Sequence, residues 1–300
     1  MLRPHLPSIT DKEGSTVPIG LPEVVDAHVH IFPHEIFSSI WQWFDEHAWH
    51  IRYQLRTSQI FAFLFSRGVN HIVALQYAHK PGLAGQLNRY MARKCQEYPN
   101  QITGMATIFP GENNAHGILQ EAFALGLGGL KLHAHVQCFD MNADDMNLLY
   151  DICQSHNKPI IMHVGREPKS SAYHCDPYKI CSAEKLERVL QNFPTLRICV
   201  PHFGFDEIPA YKKLIEKYDN LWLDTTMMLA GYFPIEGTIE LDRFRIDRII
   251  YGSDFPNIPY AWDRELNWLR ASGLPQENLE WLLKKSASGF FRFSSPAAAS

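Results

Sequence analysis

Residues 23–35 read EVVDAHVHIFPHE. The first eight set apolar, β-branched residues beside Asp26, His28 and His30. In a strand, alternate residues share a face. His28 and His30 therefore point the same way at the C-terminal end of the strand, with Asp26 on their side. The residues just after His30 separate two α/β architectures. An open, doubly wound sheet normally carries a glycine-rich phosphate turn after its first strand. IFPHE is not such a turn, so a closed barrel is favoured.

The same kind of run recurs seven times: HIVALQ (71–76), ITGMATIF (102–109), GGLKLHAH (128–135), PIIMHVG (159–165), LRICVPHFG (196–204), NLWLDTT (220–226) and RIIYGSDF (248–255). First residues are 48, 31, 26, 31, 37, 24 and 28 apart. Most of these intervals fit a βα unit of roughly 30 residues. The segments between carry helix punctuation. Asn142 precedes ADDMNLLYDICQSH, whose Met146, Leu149, Ile152 and Cys153 form one stripe. Ser182 precedes AEKLERVLQNF, with Leu186, Val189 and Leu190 on one stripe and Pro194 beyond. Asn and Ser side chains accept free first-turn N–H groups at such positions. Near-continuous apolar strands alternating with helices imply a parallel sheet covered on both faces. The fold class is α/β, a (β/α)8 TIM barrel over residues 23–293. Residues 1–22 read as an arm or mobile tail, and 294–300 (SSPAAAS) as a frayed end.

Composition narrows the partners. The 28 basic and 32 acidic residues give a net charge of −4 with no basic run, which argues against nucleic-acid and membrane-surface roles. No apolar stretch approaches the roughly 18 residues of a membrane span. The opening MLRPHLPSITDKEGS has no apolar signal core. Six cysteines form no C-x-x-C pair and read as reduced thiols, so a cytoplasmic protein is expected.

The 15 histidines are the unusual figure. His28 and His30 end the first run, Lys131, His133 and His135 share a face at the end of the fourth, His163 ends the fifth, His202 the sixth and Asp254 the eighth. In a parallel barrel these ends gather at one mouth, where barrel active sites sit. Imidazoles with a carboxylate suit a divalent ion such as zinc, and three or four ligands plus an open position make a catalytic site. Metal-bound water ionises near neutral pH and becomes a nucleophile. Taken singly, a strand histidine is an ordinary core residue. Five ligand-type residues, His28, His30, His163, His202 and Asp254, ending four otherwise apolar strands would be costly to bury unpaired, and a metal accounts for them together.

D-A-H-V-H (26–30), L-K-L-H (130–133), M-H-V-G (162–165), P-H-F-G (201–204) and Y-G-S-D-F-P (251–256) resemble the amidohydrolase superfamily, in its amidohydrolase-related branch. That branch holds aminocarboxymuconate-semialdehyde decarboxylase, resorcylate decarboxylases and lactonases. The resemblance covers residues 23–293 and implies a distorted barrel with one divalent metal ion, commonly zinc. Carried over by position, His28, His30, His163 and Asp254 would be the metal ligands. Asp254 would double as the proton-transfer group, and His202 would hydrogen-bond the metal-bound water or the substrate. Asp26 would orient a ligand imidazole. Lys131 stands where two-metal relatives carry a carboxylated lysine, and a second ion bridged by it, with His202 as a ligand, is the alternative. A homodimer is also implied. SASGFFRF (286–293) departs from the branch's usual last helix.

For the substrate, the long segment 31–56 carries Phe32, Trp41, Trp43, Phe44, His47, Trp49, His50, Arg52, Tyr53 and Arg56. It reads as a wall for a flat substrate or, for most of these residues, as an extra helix (HEIFSSIWQWFDEH) packing its aromatics inward. After the fifth run come Arg166, Lys169, Tyr173 and His174. A guanidinium matches a carboxylate fork, so a small carboxylated substrate is expected, contacted by Arg166, His133, Lys169 and Arg52. Three functions are compatible with these residues. One is a metal-dependent hydrolase of an ester, lactone or amide, in which Asp254 moves the proton and His202 stabilises the oxyanion. The second is a non-oxidative decarboxylase of an aromatic or muconate-type acid, using the same residues. The third is a ligand-binding barrel without catalysis.

Overall fold

Strand β1 is Val24–His30, and every one of its residues is buried. A strand enclosed on both faces needs such a run, with helices outside it and packed side chains inside. The computed structural model describes residues 6–167, 172–235 and 239–293. In it β1 is followed by β2 (Val69–Leu75), β3 (Ile102–Gly104, continued by Ala106–Thr107), β4 (Leu130–His133), β5 (Ile160–His163), β6 (Ile198–Val200), β7 (Leu221–Asp224) and β8 (Ile249–Ile250). All eight expected runs are strands, and each pairs in parallel with its sequence neighbour. Met105 joins the two parts of β3, donating to Ala74 while Ala106 donates to Gly129. The sheet closes where Ala27 donates to Tyr251, His30 to Phe255 and Asp254 to His28. The fold is the expected (β/α)8 barrel.

Residues of alternate phase fill two separate cores. Ile72, Ala74, Ile160 and Met162 pack outward against the helices. Val73, Leu75, Met105, Ile161, Cys199, Trp222 and Ile250 pack inward. Phe290 and Phe291, on the helix Ser286–Phe291, plug the bottom of that inner core. The mouth at the opposite end is left to polar residues.

β1 breaks the alternation. Its pairing with β2 shifts register between Asp26 and Val29. An extra residue there inverts the phase of everything after it. Val25 and Ala27 pack into the inner core, yet past the shift it is His30 that pairs with the inward Leu75. Asp26 stays in outward phase opposite Ile72, so it does not share a face with the two histidines. It accepts instead from Ser253 Oγ (2.6 Å), Ser253 N (3.0 Å) and His28 N (3.3 Å).

Other departures are local. The fourth run stops being a strand at His133, and Ala134–Gln137 is a helical turn carrying His135. Asp144–Ser155 begins after Ala143 without a side-chain cap, and Asn142 donates to Lys185 O instead (3.0 Å). Ser182 caps its helix as expected, accepting from Lys185 N. The described part of the arm, from residue 6, is stitched to the barrel: Ile9 donates to Pro259 O, Val17 to Arg67 O and Gly14 to Asp263. The six cysteines are free thiols. No helix among the described residues is long and apolar enough to cross a membrane.

The glycines that end M-H-V-G and P-H-F-G touch each other. Gly165 has φ +109°, and a Cβ there would lie 2.6 Å from the Gly204 carbonyl oxygen and 2.8 Å from its Cα. Gly204 has φ +77°. Backbone cannot yield as a flexible side chain can, and positive φ adds strain. Gly165→Ala is therefore expected to cost at least about 2 kcal/mol. Urea unfolding measures this, and an unchanged midpoint would contradict the packing.

Candidate metal centre

The inverted phase of β1 brings His28 and His30 into the mouth. Their Nε2 atoms lie 3.2 Å apart. Asp254 Oδ1 is 3.0 Å from His30 Nε2 and 3.5 Å from His28 Nε2. Asp254 follows β8 at φ 65°, a sparsely populated conformation for a residue with a side chain, and its N–H donates to His28 O. Burial opposes its ionisation, but the hydrogen bond from His30 and the surrounding imidazoles outweigh it and hold it near 2.

His28 is fixed from behind. Its Nδ1 donates to Asp224 Oδ2 at 2.7 Å, which leaves a lone pair on Nε2 facing the mouth. Burial first, and then the Lys131 ammonium, push the His28 pKa down to about 3. Two imidazole nitrogens and a carboxylate oxygen, buried and converging, form a donor set that fits a divalent ion.

Asp224 is the residue sequence reasoning missed. It also accepts from His202 N (3.0 Å) and Thr226 N (3.1 Å), tying β1 to the ends of β6 and β7. Its signal was present: a carboxylate closes the apolar run NLWLD, as Asp254 follows RIIYGS. It takes the orienting role expected of Asp26.

His202 has φ 56°, and its Nδ1 donates to Thr226 O at 2.9 Å. Burial lowers its pKa, so the ring is neutral and Nε2 bears a lone pair. That suits accepting a hydrogen bond from water and not the expected stabilisation of an oxyanion. Lys131 is fully buried, with Nζ 3.5 Å from His28 Nε2. Burial lowers its pKa to about 8 against the pull of Asp224 and Asp254.

His163 lies beside His202, ring centroids 4.7 Å apart, next to the first trio. Its ring stacks on that of His133 at 3.9 Å, as the pairing of these residues across β4 and β5 requires, and the two form a second trio with His135. Its Nε2 is 3.3 Å from Glu167 Oε2. Glu167, a second residue the sequence did not single out, folds back from the loop after β5 and reaches His135 Nδ1 as well.

A cavity of about 530 Å³ opens above this trio. His133, His135, Tyr77, Trp43, Phe44, Tyr173, Lys80 and His174 are among the residues that line it. The helix His34–His47 exists as expected and does both jobs: Phe37 is buried, while Trp43 and Phe44 face the cavity. The expected carboxylate contacts divide. His133 lines the cavity. Arg52 instead pairs with Asp11 (2.9 Å) and Glu13 (3.7 Å), because the arm runs over its loop. Arg166 turns towards Glu207 and the Tyr178 ring. Lys169 lies outside the described residues.

A family model described as amidohydrolase matches residues 25–293. No curated protein matches the chain. Among solved structures, an uncharacterized TIM-barrel protein from Bordetella bronchiseptica has a TM-score of 0.71 at 17% identity, covering 90% of this chain and 99% of its own. A candidate 2-pyrone-4,6-dicarboxylic acid hydrolase from Pseudomonas putida gives 0.63 at 19%, covering 91% and 98%. A 5-carboxyvanillate decarboxylase from Novosphingobium aromaticivorans, complexed with manganese and 4-hydroxy-3-methoxy-5-nitrobenzoic acid, gives 0.66 at 16%, covering 94% and 98%. At these identities the likeness speaks for the barrel alone.

Proposed function

The chain belongs to the amidohydrolase family and is an enzyme, and from that premise we propose that it hydrolyses a small carboxylated ester, lactone or amide. His28, His30 and Asp254 would hold one divalent ion, and two imidazoles in the set favour zinc. When bound, such an ion acidifies water and polarises a carbonyl.

One observation carries the choice of hydrolysis: His202, beside the trio, and Asp254, within it, are both set to accept protons. His202 commits its only N–H to Thr226 O, leaving a lone pair on Nε2. Asp254 presents a carboxylate oxygen at 3.0 Å from His30. Hydrolysis begins by taking a proton from water, whereas decarboxylation must deliver one to carbon. In this reading His202 orients the water, and Asp254 accepts its proton at the carboxylate and returns it to the leaving group. The Lys131 ammonium offsets the negative charge that develops. The aromatic rings of Trp43 and Tyr77 in the cavity lining exclude water and stack on a flat acid, with Lys80 in the same lining to meet its carboxylate.

The test is a panel of carboxylated lactones, esters, amides and aromatic acids in ¹⁸O-water. The expected result is a single ¹⁸O atom in the acid product and no gas release. Carbon dioxide released without ¹⁸O incorporation would replace this reading with the carboxy-lyase.

A further inference from the structure

We infer that Cys138 and Cys175 are a redox-active pair, which hydrogen peroxide joins in a reversible disulfide that clamps one side of the cavity. The two are distant in the chain, yet their sulfurs meet over a single acceptor. The His135 carbonyl oxygen is 3.6 Å from Cys138 Sγ and 3.4 Å from Cys175 Sγ. The two thiols are also in hydrogen-bond contact with each other.

Local structure supplies this meeting. Cys138 closes the helical turn Ala134–Gln137 at φ 54°, with its N–H donating to Ala134 O. Cys175 stands just before Asp176, whose side chain caps the short helix Pro177–Ile180. Each sulfur is thus held at the end of a hydrogen-bonded turn. From thiol contact, an S–S bond of about 2 Å needs only a small approach.

Their surroundings divide the chemistry. Cys138 is exposed, Cys175 half-buried, and Cys153, Cys181 and Cys199 are buried. An oxidant from solvent therefore reaches Cys138 first. Burial, and then the contact with Cys138, push the Cys175 thiol up to about 12, so it keeps its proton while Cys138 reacts. In the first step the Cys138 sulfur attacks one peroxide oxygen and the O–O bond breaks. Cys138 becomes a sulfenic acid, and the departing hydroxide takes the thiol proton and leaves as water. In the second step the Cys175 sulfur attacks the Cys138 sulfur. The S–S bond forms, the S–O bond breaks, and the hydroxyl leaves with the Cys175 proton as water. Two thiols lose two electrons, and one peroxide is reduced to two waters.

The bond would join two segments of the cavity lining. His135 and Val136 belong to one, and Tyr173 and His174 to the other. Tyr173 in turn donates to Glu167. Once linked, the segments no longer move independently. A disulfide with one partner at the surface is of the reducible kind.

The test treats the full chain with hydrogen peroxide, blocks free thiols with iodoacetamide and maps unreduced peptides by mass. The expected product links the Cys138 and Cys175 peptides with loss of two hydrogens, and dithiothreitol restores both thiols. Neither Cys138→Ser nor Cys175→Ser should give the link. In Cys175→Ser the oxidised Cys138 has no resolving thiol and is expected to go on to sulfinic acid. Backbone hydrogen exchange over 134–138 and 172–176 is expected to slow by about tenfold or more in the oxidised native protein, and not in peroxide-treated Cys175→Ser. Native protein that gains sulfinic acid at Cys138 without the link, or that links Cys175 to Cys181, would overturn the pairing. A link formed with exchange unaltered in both segments would overturn the clamp.

Discussion

Turnover by Asp254→Asn is expected to fall by about 10²- to 10⁴-fold, the usual contribution of a positioned proton-transfer group. The asparagine keeps an oxygen where Asp254 Oδ1 stands, 3.0 Å from His30 Nε2 and 3.5 Å from His28 Nε2. Coordination is weakened but not abolished, and the backbone link from residue 254 to His28 O is untouched. What is lost is the capacity to take a proton at that oxygen. The measurement is kcat with Zn²⁺ supplied until metal content matches the native protein. Under that condition a turnover within tenfold of native would remove Asp254 from proton transfer and leave it a ligand only. An unchanged circular dichroism spectrum separates this from misfolding.

Asp224 should divide two effects that usually travel together. Its carboxylate receives three buried N–H groups, from His28 Nδ1, His202 N and Thr226 N. Asp224→Ala strands all three, and each buried donor left unpaired costs about 1–3 kcal/mol. Asp224→Asn is different. Its Oδ1 still accepts from His202 and Thr226, but the NH₂ group now faces His28 Nδ1. That nitrogen must then accept, the proton moves to Nε2, and the lone pair offered to the metal is gone. We expect the asparagine variant to unfold close to the native midpoint and to bind Zn²⁺ about 10- to 100-fold more weakly, the range seen when such an orienting partner is changed. The alanine variant should lose both stability and affinity. Chelator competition and thermal unfolding read the two quantities separately. Native affinity in Asp224→Asn would mean that Asp224 supports the fold without setting the tautomer.

The barrel was legible because its strands are enclosed on both faces, so apolar runs at near-regular spacing mark them without any knowledge of their partners. The mouth was legible for a related reason: a histidine or carboxylate closing such a run, as at His163 or Asp254, contradicts its surroundings. Features set by contacts between distant segments were not legible. Arg52 looked like a substrate clamp because nothing local reveals that Asp11 lies across it. Glu167 was not singled out because its return onto His135 depends on the path of the chain after β5. Asp26 was assigned to the wrong face because strict alternation assumes a regular strand, and β1 is not one.

That irregularity makes β1 two strands sharing one backbone. Its first half keeps time with the apolar interior, and its second half runs one beat later. D-A-H-V-H is therefore a motif with a change of phase written into it. The same five residues grafted onto an evenly pleated strand would carry Asp26 round with the histidines or send both imidazoles out among the helices. The offset between Asp26 and Val29 lets one short segment hold Ser253 on its outer side and present two ligands on its inner side.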